Sequence, residues 1–244
     1  MRTGIKITAA MATALLFSIA AQAESRTYNL DGFDKLDIGT GLDAVVTQGD
    51  SFSVTATATS AHALENLELS VDKGVLTARF DQNFLDFIVS GGLIGMLLNS
   101  GNASTVEITM PELAGIQASA GAAVRVGALT SDELTLNASS GASLEVVDAT
   151  LGRVHVNSSS GADVTLSGTA DAIDADASSG ADIDAGDLVA RTATAGASSG
   201  ADLSIHASQS VRANASSGGE IDIHGDPADR EVEESGGGGV SFEN

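Results

Sequence analysis

Four acidic residues occupy one position of a recurring sequence unit. Asp163, Asp182, Asp202 and Glu220 each stand second after a glycine, in SSGAD three times and in SSGGE once. Carboxylates held in a row are the side chains that hard cations bind, and calcium, which takes six to eight oxygen ligands, is the ion such a column would attract. A flat exposed column supplies fewer oxygens than that, and the nine-residue Gly/Asp repeat of calcium-binding β-rolls is absent. The four residues therefore read as a solvated acidic face, with calcium as the alternative the column leaves open. His206 and His224 also recur at one unit position, after LSI and IDI. Two imidazoles could serve a transition metal, but the spacing indicates no third ligand. Ser140, Ser160, Ser179, Ser199 and Ser217 precede the unit glycines. A serine nucleophile needs a base beside it, and no His or Lys accompanies these at a constant offset. Their hydroxyls are expected to bond the backbone or one another, and no catalytic residue and no other cofactor site is assigned.

Such positions gain meaning only if the chain stacks the units. Aligned on Gly121, Gly141, Gly161, Gly180, Gly200 and Gly218, the units are separated by 20, 20, 19, 20 and 18 residues. On both sides of each glycine, apolar or small residues alternate with polar ones, the period of half-buried strands. The pattern predicts an all-β chain, a parallel β-helix built as a single-stranded β-solenoid with about 20 residues per coil, stacked at about 4.8 Å. Each glycine is then a corner, where the missing Cβ permits backbone angles that other residues find costly. Ala142, Ala162, Ala181 and Ala201 fit the narrow interior beside it. Leu134, Val154, Ile173, Ala193 and Val211 should form an inward column before the corner, and Leu144, Val164, Ile183, Leu203 and Ile221 one after it. The same theme surrounds Gly41, which lies 80 residues before Gly121 and so reads as four coils earlier.

Composition limits what the stack can do. The 244 residues include no Cys, no Trp, 3% aromatic side chains and a net charge of −22. Such acidity opposes nucleic acid and anionic membranes as partners. Residues 1–23 read as a signal peptide: Arg2 and Lys6 precede an apolar run that ends in AQA, with cleavage expected before Glu24. Its removal leaves a mature charge of −24, no transmembrane span, and a chain destined for the periplasm, the cell surface or the medium. Residues 24–225 are assigned to the solenoid and 226–244 to a last coil or an acidic, Gly-rich tail. One segment breaks the pattern. FLDFIVSGGLIGMLL, residues 84–98, carries one charge, Asp86. Phe84, Leu85, Phe87, Ile88 and Leu93, with Ile94, Met96, Leu97 and Leu98, either cover the open core or form an apolar patch for a partner or membrane interface.

The order FDKLDIGTGLDAVVTQGD, VEITMPELAGIQASAGAAVRV, repeated SSGAD and a closing GDPADREVEESGGGGVSFEN resembles the GIN-domain family of autotransporter-adhesin head domains. The resemblance implies a right-handed β-helix of exported bacterial proteins with no established biochemical function. It also implies a departure: no room follows the repeats for the membrane barrel an autotransporter needs. Two functional classes result. One is an exported binding or structural protein, adhesin-like or associated with the cell envelope, contacting an unknown protein or envelope surface. The other is a carbohydrate-active β-helix enzyme, to which the scarcity of aromatic platforms and of basic groups is unfavourable. Copies could also associate through open solenoid ends, where strand edges are exposed.

Overall fold

Alternation of apolar and polar residues places one side of every strand inward, and the parallel stacking of those strands gives the architecture. The computed structural model describes residues 24–58, 61–81 and 104–243. In chain order these form β1 (Glu24–Tyr28), β2 (Lys35–Ile38), β3 (Asp43–Gln48), β4 (Ser53–Ala58), the short helix α1 (Ala61–Glu65), β5 (Leu67–Asp72) and β6 (Val75–Phe80). Then come β7 (Thr105–Met110), β8 (Gly115–Ala118), β9 (Ala123–Val126), β10 (Leu129–Ser139), β11 (Ser143–Ser159), β12 (Asp163–Ser178) and β13 (Asp182–Ser198). The series closes with β14 (Asp202–Ser216), β15 (Glu220–His224), β16 (Asp229–Ser235) and β17 (Gly239–Glu243).

From β8 onward the chain is the solenoid that the repeat predicts. β10 to β14 pair in parallel, each with the next. The first pair keeps a constant 20-residue offset. Register breaks between Val146 and Ala149, between Thr165 and Ser167, and between Ala185 and Val189 absorb the shorter units at the corners opposite the glycines. Both expected inward columns form as read, and every member is buried. Residues 229–243 complete a final level, β16 stacking on β14 and β17 on β15.

The N-terminal part departs from the four-coil expectation. Lys35–Ile38 pair directly with Gly115–Ala118, and Asp43–Val46 with Ala123–Val126, both in parallel register. The 80-residue separation is thus one step of the stack. The intervening chain leaves the stack and returns on the far side of β2 and β3, where β6 pairs with β2 and β7 with β3 in parallel. Antiparallel additions extend this end: β5 on β6, β4 on β7 and β1 on β4. The sequence concealed this route because strands in either arrangement show the same alternation.

Side-chain size changes along the core. One inward column runs Leu76, Leu36, Ile116, Leu136, Val156, Ala175, Ala195, Ala213. In this column aliphatic bulk at the N-terminal end gives way to alanine, while neighbouring columns keep Ile183, Leu203, Val211 and Ile221.

Candidate functional site

The corner fixes everything exposed beside it. Both of its central residues have positive φ: Ser140 and Gly141 at 56° and 69°, Ser160 and Gly161 at 58° and 67°, Ser199 and Gly200 at 58° and 68°. Two successive residues in this region define a type I′ turn. The closing hydrogen bond runs from the Ala142 N–H to the Ser139 carbonyl at 3.2 Å. Sequence reading gave the strained conformation to glycine alone, but the serine shares it. Corners of adjacent coils are tied by backbone: the Gly121 N–H donates to the Ser140 carbonyl at 3.1 Å, Gly141 to Ser160 at 3.2 Å, and Gly180 to Ser199 at 3.2 Å. The expected hydroxyl ladder does not form. The five serine side chains point to solvent, because a left-handed backbone at that position turns Cβ away from the neighbouring coil.

With the corners superposed, the acidic residues align. Asp163 pairs in register with Asp182, Asp182 with Asp202, and Asp202 with Glu220, all exposed. Adjacent carboxylates therefore repeat at about 4.8 Å. Partial loss of hydration among its neighbours raises the Asp182 carboxyl above its ordinary value, and the like charges of Asp163 and Asp202 push it the same way. Two residues further along the same sheet face, Asp184 and Asp222 flank Ser204 in the next outward column. From Asp163 to the last coil these two columns contain carboxylates, hydroxyls and one glycine, and no Lys or Arg. The position after the unit glycine marks the first column and not the second. Its signal was present as the second acid of DIDA and EIDI.

His206 and His224 do stack, and Glu243 continues their column. The His224 Nε2 lies 3.0 Å from Ser204 Oγ, and Nδ1 lies 3.7 Å from a Glu243 carboxylate oxygen. The rings border a groove of about 740 Å3 with Asp184, Gly186 and Asp187. Gly186 leaves room there, since a Cβ would stand 2.8 Å from Ser204 Oγ and 3.1 Å from the His224 ring and would make both side chains shift. Among the described residues, no three His, Asp or Glu side chains are grouped so as to hold a metal ion. A second recess, about 290 Å3, opens where Gly115 leaves a gap between Lys35 and Thr135 and is flanked by Gln117 and Asn137.

The apolar segment from Phe84 to Leu98 lies outside the described residues. Its flanks locate its attachment. Ala78 pairs with Ile38 and Thr105 with Asp43, so residues 79–104 connect strands that the next coil joins with residues 39–42. Among the described residues, no helix is long and apolar enough to cross a membrane.

Residues 32–227 match the family model described as "Putative auto-transporter adhesin, head GIN domain". The chain belongs to this family. Solved structures share the fold of this GIN-domain protein. A putative adhesin from Bacteroides fragilis NCTC 9343 superposes with a TM-score of 0.76 at 22% identity, covering 92% of this chain and 98% of that one. A putative lipid binding protein from Parabacteroides distasonis ATCC 8503 gives 0.66 at 18% identity, with 91% and 97% covered. A putative adhesin from Parabacteroides merdae ATCC 43184 gives 0.65 at 16% identity over the same shares. No curated protein matches the sequence. At these identities the structures show the fold, and the family places this GIN-domain chain among adhesin-like proteins.

Proposed function

We propose that the protein is an exported, non-enzymatic binding protein of the adhesin type, associated with the cell envelope, whose C-terminal coils present an acidic sheet face to a cationic surface partner. The observation that carries this reading is the double column of exposed carboxylates: Asp163, Asp182, Asp202 and Glu220 beside Asp184 and Asp222. Stacked coils hold these groups at fixed spacing on a stiff support, so a partner with matching positive charge meets them without having to order them first. Mutual repulsion within a column, on the order of 1 kcal/mol per neighbouring pair in water-like dielectric, is relieved when a cationic group binds. Such an interface is steered by charge and weakens as salt rises. The N-terminal segment with its AQA ending supports export.

The test has two arms. Fractionation of cells expressing the tagged protein, with protease shaving of intact cells, should recover it outside the cytoplasm, and a cytoplasmic location contradicts the export claim. A polysaccharide-degradation screen on the purified mature protein should yield no products. Reproducible cleavage, abolished by one carboxylate substitution, would replace the binding role with the carbohydrate-active one.

A further inference from the structure

Two inward columns that hold no charged residue through the solenoid end on charge. Val211 is followed in register by Arg230, and Ala215 by Glu234. Between them, Ala213 is followed by Val232, and in the other sheet Ile221 and Ile223 are followed by Val240 and Phe242. Positions that bury Leu134, Val154, Ile173, Ala193 and Val211 in one column, and Ala138, Ser158, Ala177, Ala197 and Ala215 in the other, thus carry a guanidinium and a carboxylate in the last coil. Neither is left without contacts. The Arg230 guanidinium lies over the Phe242 ring, 4.3 Å from its centroid, where a cation is attracted by the π face. It also donates to the Pro227 carbonyl at 2.9 Å and pairs with Asp226 at 2.5 Å. Glu234 accepts the Val240 N–H at 2.7 Å. The outward side chains of the same coil tie it back: Glu231 to Arg212 at 2.6 Å, and Glu233 to the Asn214 amide at 3.3 Å.

We propose that β16 and β17 form a stop, in which Arg230 and Glu234 keep a second copy of this chain from continuing the stack coil on coil. An open solenoid end offers unpaired N–H and C=O groups above an apolar core, the features that template further strands. Here a docking strand would have to bury Arg230 and Glu234 beneath its own inward side chains, away from the water both now reach. Asp229, Glu231 and Glu233 alternate with them on the same strand, so a docking strand that carried carboxylates at those positions would meet like charge. Val232, 40% exposed, is the apolar remainder of that end and is bracketed by the two charges. The inference does not depend on the binding face proposed above, which lies along the side of the coils.

The full mature chain tests it by sedimentation over a wide concentration range. The wild type should remain a single protomer. Arg230→Val with Glu234→Ala, which restores the residue types of the columns beneath, should raise the weight-average mass by about twofold or more with concentration, as an end-to-end contact that does not close would. Adding Val232→Lys should return that variant to one protomer, which separates stacking at this end from misfolding. A double variant that keeps its β-sheet spectrum and stays a single protomer overturns the proposal, as does association unaffected by Val232→Lys. Should the double variant not fold, Glu234→Ala alone, at an exposed position, is read by the same two outcomes.

Discussion

The two ends of the stack reach the same cross-section by different means. From β10 to β14 each level is one continuous sweep of chain, the corners are Ser-Gly turns, and one inward column is filled by the alanines Ala175, Ala195 and Ala213. Near the N-terminus each level is assembled from separated strands, β2 with β3 and β6 with β7, and antiparallel strands are added outside. Its core includes large residues, Leu36, Ile38, Leu64, Leu76, Ile108 and Met110, all fully enclosed beside alanines such as Ala44, Ala56 and Ala78. Apolar burial grows with side-chain area, so the N-terminal levels tolerate an irregular route. The C-terminal levels set that alanine column beside buried Ile183, Leu203, Ile205 and Val211 and pair their backbone without interruption.

Residues of a shared column measure that contrast. Leu36→Ala should cost about 2 to 5 kcal/mol through lost contacts and a residual cavity, lowering the Tm by roughly 5 to 15 °C. Ala195→Gly, in the same column, should cost about 1 kcal/mol, mostly in backbone entropy. Thermal melts of the two variants should therefore differ several-fold in effect, and equal losses would mean that the two ends are held in the same way.

The smallest expected effect belongs to the acidic column. Because the folded-state pKa of Asp182 is raised, its stabilising contribution is complete below the unfolded-chain pKa and is lost as pH rises through the folded value. At neutral pH the charged group opposes folding, so Asp182→Asn should raise the Tm by about 1 to 2 °C, a small shift because water screens an exposed carboxylate. The gain should fade as pH drops into the carboxylate range. A gain that persists at low pH would show that column repulsion is not its origin.

The C-terminal coils were legible because each repeats the last. The recurring glycine marks register even where the unit shortens from 20 to 18 residues, and register fixes which residues share a column, so Asp163, Asp182, Asp202 and Glu220 are placed together by the sequence. Two features escaped for physical reasons. The left-handed serine is invisible to a reading that assigns positive φ to glycine, yet Ser140, Ser160 and Ser199 adopt it to complete the type I′ turn. The route of the N-terminal chain is invisible because alternation reports that a strand is half-buried and says nothing about which strand it pairs with. Arg230 and Glu234 belong to a third kind. Their alternation with Asp229, Glu231 and Glu233 gives no apolar face, so only the observed pairing of β16 with β14 shows that they stand in core columns.

The contrast between the ends rests on β2 lying directly against β8, and the absence of cysteine permits a direct measurement. Asp37 and Gln117 are register partners at the surface of this pair. Adjacent strands put their Cα atoms about 4.8 Å apart, within reach of a disulfide, whereas a separation of four coil steps would put them about 19 Å apart. Oxidation of the variant Asp37→Cys with Gln117→Cys should give an intramolecular disulfide in a protein that remains a single protomer with an unchanged β-sheet spectrum. Failure to form it in the folded protein, or formation only between molecules, would contradict the single step that joins the two regions.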